Sequence, residues 1–198
     1  MDRFLRRIVI LQPASQRSPL RVSTRIAAAG LLALLAGCSW FGGSSDKEFK
    51  VTCPNTYIAP DLDALTLLRP GAGGVGPTDI RFGVKVFSAS STCIGDKNGV
   101  RTETDLLFVA ARNDPDFKQG QFTYFIAIAD AQQNILAKQD FTLQVDFAPR
   151  QNQMRISEAL KETLPLRDPQ AARNYAIVVG LQLTPDQLEL NRKRGQAQ

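Results

Sequence analysis

From residue 49 onward, apolar positions recur with a period near two and are cut by turn residues, a pattern that predicts strands. Phe49, Val51 and Cys53 alternate up to Pro54-Asn55, and Tyr57-Ile58 fits an edge segment before Pro60. Residues 61–68 fit a helical turn and a strand equally well. Ile80, Phe82, Val84 and Val86 alternate with Arg81 and Lys85, giving a strand that runs toward Cys93. Asp96-Lys97-Asn98-Gly99 then has the composition of a tight hairpin turn. Residues 100–112 start with polar alternation and become apolar on both faces, until Asn113-Asp114-Pro115-Asp116 ends the run. Residues 122–129 read as a central strand covered on both sides, and residues 130–134 turn the chain. Phe141, Leu143, Val145 and Phe147 make the cleanest alternation in the chain. Met154 and Ile156 predict one more short strand, Leu164-Pro165-Leu166 and Asp168-Pro169 a loop, and residues 175–183 the last strand.

A different signature follows. Thr184 and Gln187 have capping-box spacing around Pro185, which suits the first helical position, and Leu183 and Leu188 occupy staple positions. Arg192, Lys193 and Arg194 complement the negative end of the predicted helix, with Gly195 as its stop; the same three cations could instead meet anionic lipid headgroups. About seven strands without long intervening helices predict a mainly β fold: a single antiparallel β-sandwich of immunoglobulin-like type with a short C-terminal helix. A small β-barrel is the alternative.

Residues 1–48 do not share this pattern. Residues 26–37 form an apolar run of twelve, preceded by Arg21 and Arg25. That length suits the apolar part of a signal peptide and falls short of the ~20 residues of a membrane-spanning helix. The run ends in Leu34-Leu35-Ala36-Gly37-Cys38. Small residues at 36 and 37 let an extended backbone enter a protease site, and a thiol is the nucleophile that an acyl-glyceryl transfer requires.

The motif Leu35-Ala36-Gly37-Cys38 closely resembles the lipobox of a bacterial lipoprotein precursor. The resemblance implies cleavage between Gly37 and Cys38, a thioether-linked diacylglycerol on Cys38 and acylation of the new amino terminus. It divides the chain into a signal peptide at residues 1–37, a lipidated flexible tether at 38–48 and a periplasmic β domain at 49–198. Residues 22–25 would begin a compact leader by themselves, which points to translation starting at Val22. In the tether, glycine and serine surround Trp40 and Phe41, two aromatic rings that either rest among lipid headgroups or sit incidentally in a linker. In small Gram-negative envelope lipoproteins, which the arrangement resembles, a residue other than aspartate after the lipidated cysteine implies the outer membrane. Ser39 therefore implies its periplasmic face, with the inner membrane as alternative.

The cut changes how composition reads. The full chain carries 24 Lys+Arg against 19 Asp+Glu, a net of +5. Six arginines and one aspartate lie in residues 1–37, so 18 cations face 18 anions from Cys38 onward. A neutral mature protein gives no reason to expect nucleic acid as a partner. Once Cys38 is assigned to lipid, Cys53 and Cys93 remain as a pair in a compartment that permits a disulfide.

Candidate chemistry is sparse. There is no histidine, which excludes Ser-His-Asp and Cys-His catalysis and removes the commonest metal ligand. The glycine-rich stretch Gly71, Gly73, Gly74, Gly76 lacks the Gly-Lys-Ser/Thr ending of a phosphate-binding loop. Asp96 and Asn98 lack the remaining ligands of a calcium loop. Asp61 with Asp63, and Asp114 with Asp116, are the nearest approach to paired carboxylates, and both pairs sit in turn-like sequence. The expectation is a non-catalytic protein without cofactor or metal. It is held at the membrane through Cys38 and acts on envelope protein partners as an interaction or scaffold module, with a receptor for a small or lipidic ligand as alternative.

Overall fold

The structure is a computed structural model that describes residues 9–11, 47–72 and 76–196. Gly37, Cys38, Ser39, Trp40, Phe41, Gly73 and Gly74 lie outside the described residues. Nine strands and one α-helix are found among those described. They are β1 (Val9–Leu11), β2 (Asn55–Ile58), β3 (Ala64–Leu68), β4 (Ile80–Asp96), β5 (Gly99–Arg112), β6 (Gln119–Ala129), β7 (Ile135–Asp146), β8 (Gln153–Leu164), β9 (Ala176–Leu181) and α1 (Pro185–Gln196). One sheet has the order β1-β8-β5-β4-β3 and the other β2-β9-β6-β7. Pairing is antiparallel except between β2 and β9, which run parallel. The two sheets stack face to face without closing, which makes a sandwich and rules out the barrel.

Alternation explains the core. Phe82, Val84 and Val86 of β4, Leu106, Phe108 and Ala110 of β5, and Phe122, Tyr124, Ile126 and Ile128 of β6 all face inward and are buried. Phe108 meets Phe122 and Tyr124 at ring separations of 5.2 and 4.9 Å, so the aromatic centre lies between β5 and β6. The other face of β6 is also covered: Phe125, Ala127 and Ala129 pack under Tyr57 and Leu62. That second small core is why residues 122–129 are apolar throughout.

The turn at residues 96–99 forms as expected. Asp96 pairs with Gly99, and the Asp96 carboxylate accepts from the Asn98 backbone N–H at 2.7 Å. Gly99 has φ +132, and a Cβ there would stand 2.1 Å from the Leu164 carbonyl, so only glycine fits. Residues 61–68 resolve in favour of a strand, β3. The alternation of Phe49, Val51 and Cys53 does not produce one: Phe49 makes a single bridge to Gly95, and the strand starts only at Asn55. Pro54 has no N–H to give a ladder. Instead, the Cys53–Cys93 disulfide, with Cα atoms 5.5 Å apart, ties this segment to β4.

At the C-terminus the capping box is complete. Gln187 N–H donates to Thr184 Oγ1 at 3.3 Å, and Thr184 N–H donates to Gln187 Oε1 at 2.9 Å. The helix runs through Gly195 to Gln196, past the expected stop. It lies against β3, where Asn191 Nδ2 donates to the carbonyls of Asp61 and Ala64 at 2.8 and 2.6 Å. Its cations are engaged within the fold: Arg192 with Asp61, Lys193 with Glu189, and Arg194 with Thr66.

Arg112 closes the opposite end of β5. Its buried guanidinium donates to the carbonyls of Gln151, Pro115, Phe117 and Ala148 at 2.9 to 3.2 Å, and lies over the Phe147 ring. Lysine keeps the charge but cannot present a planar fork to four acceptors. Arg112→Lys is expected to destabilise the domain by about 2 kcal/mol in urea titration, since carbonyls left without donors inside a protein are unfavourable.

The largest departure from the sequence reading is β8. Met154 and Ile156 predicted a short strand, whereas β8 runs for 12 residues along the whole length of β5. Its inward positions are Met154, Ile156, Glu158, Leu160, Glu162 and Leu164. Two glutamates at positions that ordinarily carry apolar side chains hide the period.

Candidate functional site

Those glutamates define the chemistry of the interior. Glu162 is 1% exposed, and Oε2 takes both of its hydrogen bonds, from Thr102 Oγ1 at 2.8 Å and Thr104 Oγ1 at 3.3 Å. Because Thr104 spends its proton on Glu162, Ser91 must donate to Thr104 across 2.8 Å. Thr56 in turn donates to Ser91, also at 2.8 Å. A one-way chain of hydroxyls thus crosses from β2 through β4 and β5 to β8. The remaining carboxyl oxygen, Glu162 Oε1, is buried without a hydrogen-bond partner among the described residues. Desolvation outweighs the two threonine donors and pushes the Glu162 pKa up to about 7.

Glu158, four residues earlier on the same face, is half-buried, and its pKa is raised by desolvation. Between the edges of β7 and β8 lies an open pocket of about 320 Å³, lined by Tyr124, Gln139, Asp140, Phe141, Leu143 and Glu158 among others, with Asp140 paired to Lys138 at 3.0 Å. Tyr124 is fully buried, and its hydroxyl has no hydrogen-bond partner among the described residues. Burial first, and then the charges of Glu158 and Glu162, hold that hydroxyl firmly protonated. The Tyr124 and Phe141 rings stack at 5.2 Å and give the pocket an aromatic wall. Among the described residues no ion pair satisfies Glu158 or Glu162.

A larger groove of about 480 Å³ lies over Thr92, Ile94, Arg101, Glu103, Lys161 and Thr163. Its exposed charges answer one another, Arg101 pairing with Glu48 and Asp96 and Lys161 with Glu103, while the buried Glu162 stands in its wall. Internal pairing leaves that surface little net field for a charged ligand.

The carboxylates singled out from sequence are placed elsewhere and serve the fold. Asp61 and Asp63 pair with Arg192 and Lys85 at 3.8 Å each. Asp114 pairs with Arg81 and Arg69, and its other oxygen accepts from the Asp116 N–H, an aspartate turn. Neither pair faces a shared cavity with the other. Glu158, Glu162 and Tyr124 escaped notice in the sequence, although extending the two-residue period from Met154 to Leu164 puts both glutamates on the core face.

The edges of the sheets differ in accessibility. The β3 edge is covered by α1, β2 is only four residues long, and β7, 12 residues long, pairs on one side only, with β6. At the β8 edge, Val9, Ile10 and Leu11 pair antiparallel with Thr163, Glu162 and Lys161, leaving residues 153–160 without a ladder partner on that side among the described residues. Compared with protein-family models, curated proteins and solved structures, the chain matches none, so the reading of its site rests on its own residues.

Proposed function

We propose that the chain is a non-catalytic interaction module of a bacterial cell envelope, anchored by lipid on Cys38, that takes up an extended partner segment along the β8 edge. The observation that carries this reading is the pairing of Val9–Leu11 with Lys161–Thr163. The lipobox reading removes those three residues from the mature protein, which exposes a strand edge of 12 residues. At about 3.3 Å per residue, such an edge is long enough for main-chain hydrogen bonding to several partner residues, as in strand addition. Inward-facing charge beside an edge also opposes indiscriminate pairing with other apolar strands, so Glu158 and Glu162 favour selectivity.

Photo-crosslinking in intact cells tests the reading. A crosslinking side chain placed at the exposed edge positions Arg155 or Lys161 is expected to capture a discrete envelope protein, while one at Gln132, in the β6–β7 turn, is not. Equal capture from all three positions, or none from either β8 position, counts against edge pairing. The anchor has its own test: cells supplied with labelled palmitate are expected to label the protein, Cys38→Ala is expected to abolish the label, and continued labelling of the variant contradicts it. The outer membrane is the proposed site, on the strength of Ser39. A receptor role for a small ligand is the second reading, favoured by the open pocket between β7 and β8.

A further inference from the structure

We propose that two copies of this chain associate through their β7 edges, antiparallel about a two-fold axis at Thr142. Among the described residues β7 is 12 residues long and pairs only with β6. Neighbouring strands fix where its backbone groups point. Gln182 N–H donates to the Thr123 carbonyl at 2.8 Å, so Thr123 turns its backbone toward β9 and away from Thr142, which stands opposite it on β7. Thr142 therefore directs its own N–H and C=O to the free edge, and Lys138, Asp140, Gln144 and Asp146 share that direction by the two-residue period. Phe147, of the opposite parity, donates on the β6 side to the Lys118 carbonyl at 2.9 Å. The residues that offer their backbone at the edge also carry exposed side chains, all on one face.

Charge complementarity selects both the occupant and the register. A lysine on an edge ordinarily discourages pairing, yet with Thr142 opposite Thr142 of the second copy, Lys138 faces Asp146 at each end of the ladder. In the same register Asp140 faces the Gln144 amide, and on the core side Phe141 faces Leu143. Moving the centre to Asp140 or Leu143 sets carboxylates against each other, and a centre at Phe141 leaves Lys138 opposite no carboxylate. Centring on Gln139 matches Lys138 to Asp140 but runs the ladder into the irregular pairing beside Ile135. Lys138 already contacts Asp140 at 3.0 Å, Gln182 at 2.8 Å and the Phe125 ring, and Asp146 accepts from Gln119 at 2.7 Å. Those contacts leave acceptor sites on the Asp146 carboxylate for a second donor. The β8 edge differs: its outward charges, Arg155 and Lys161, are all positive and its inward ones, Glu158 and Glu162, all negative, so it cannot match itself. β8 suits a different chain and β7 a second copy; the edges belong to different sheets, and neither reading rests on the other.

The experiment is sedimentation of the protein extracted from membranes, in density-matched detergent, over a range of concentrations. A reversible monomer–dimer equilibrium is expected. Lys138→Asp and Asp146→Lys are each expected to weaken dimerisation at least tenfold, with melting temperatures establishing that the variants are folded. An equimolar mixture of the two variants is expected to restore the dimer, because the aspartate placed at 138 in one copy then meets the lysine placed at 146 in the other. Shared micelles cannot imitate that pattern, since micelles do not distinguish the single variants from their mixture. Thr142→Pro removes the central N–H from the free edge without taking a ladder bond from β6, and is expected to abolish the dimer. It decides alone should a charge variant fail to fold. Arg155→Asp, on the β8 edge, is expected to leave the dimer unchanged. A monomer at every concentration, which leaves the β7 edge to another chain or to the protein's own tether, overturns the proposal. So do undiminished dimerisation in the folded single variants, a mixture that fails to restore the dimer, and loss of the dimer in Arg155→Asp.

Discussion

Glu162→Gln is expected to stabilise the domain by about 3 kcal/mol at pH 8 and to leave its stability nearly unchanged at pH 4. The sign follows from linkage. Burial raises the carboxyl from its ordinary value of 4.5 to about 7 in the folded state, so the fold favours the protonated form. Below pH 4.5 the folded and unfolded chains both hold the proton, and no penalty applies. Between 4.5 and 7 the folded chain keeps a proton that the unfolded chain releases, and stability falls as pH rises. A shift of this size corresponds to about 3 kcal/mol at 1.36 kcal/mol per unit. Glutamine has no charge to bury and still offers an oxygen to Thr102 and Thr104. Urea titrations from pH 4 to pH 8 check the result: the unmodified protein should lose stability over that range, with Glu158 adding a contribution of the same sign. A flat profile, or a glutamine variant less stable than the parent at pH 8, would mean that the carboxylate is compensated in a way the threonine contacts do not explain.

The second large effect belongs to the Cys53–Cys93 disulfide. It closes a separation of 40 residues, for which the chain-entropy account gives a stabilisation of about 4 kcal/mol. Its position also matters. The bond joins the segment ahead of β2 to β4, so it fixes the strand-poor residues 47–54 across the joint between the two sheets. Replacing both cysteines by alanine is expected to lower the urea midpoint by an amount equivalent to about 4 kcal/mol, and adding reductant to the double variant should then change nothing further. A loss below about 1 kcal/mol would show that residues 47–54 are held chiefly by other contacts, such as Val51 packed beside Gly95.

These two sites illustrate why the sequence was legible in some places and opaque in others. Residues 80–86, 122–129 and 141–147 report their own burial, because a strand facing a dry core must alternate or be apolar throughout. The turn at 96–99 and the capping box at Thr184 and Gln187 are local chemistry, decided within four residues, and both formed as expected. The Cys53–Cys93 pair followed from counting once Cys38 was set aside. β8 was misjudged for a specific reason. An inward carboxylate is unfavourable unless hydroxyls elsewhere in the fold support it, and Thr102 and Thr104 lie 60 and 58 residues before Glu162 in sequence. Nothing local to residues 153–164 announces that support.

The same distance hid the candidate site. Tyr124 lies inside an apolar run, and only the assembled sandwich brings it to an open pocket shared with Glu158. Asp61, Asp63, Asp114 and Asp116 drew notice because they are clustered in sequence, yet clustering along a turn served the backbone and nearby arginines or lysines. Residues that act together here are far apart along the chain.

The β8 edge is available to a partner only if Val9, Ile10 and Leu11 are missing from the working protein. Intact-mass spectrometry of the protein extracted from Gram-negative membranes tests that condition most directly. The account predicts a mature chain that begins at Cys38 and carries acyl groups there, with no species containing residues 9–11. A membrane-bound chain that retains residues 9–11 would leave the β8 edge filled by its own strand and contradict the proposed role.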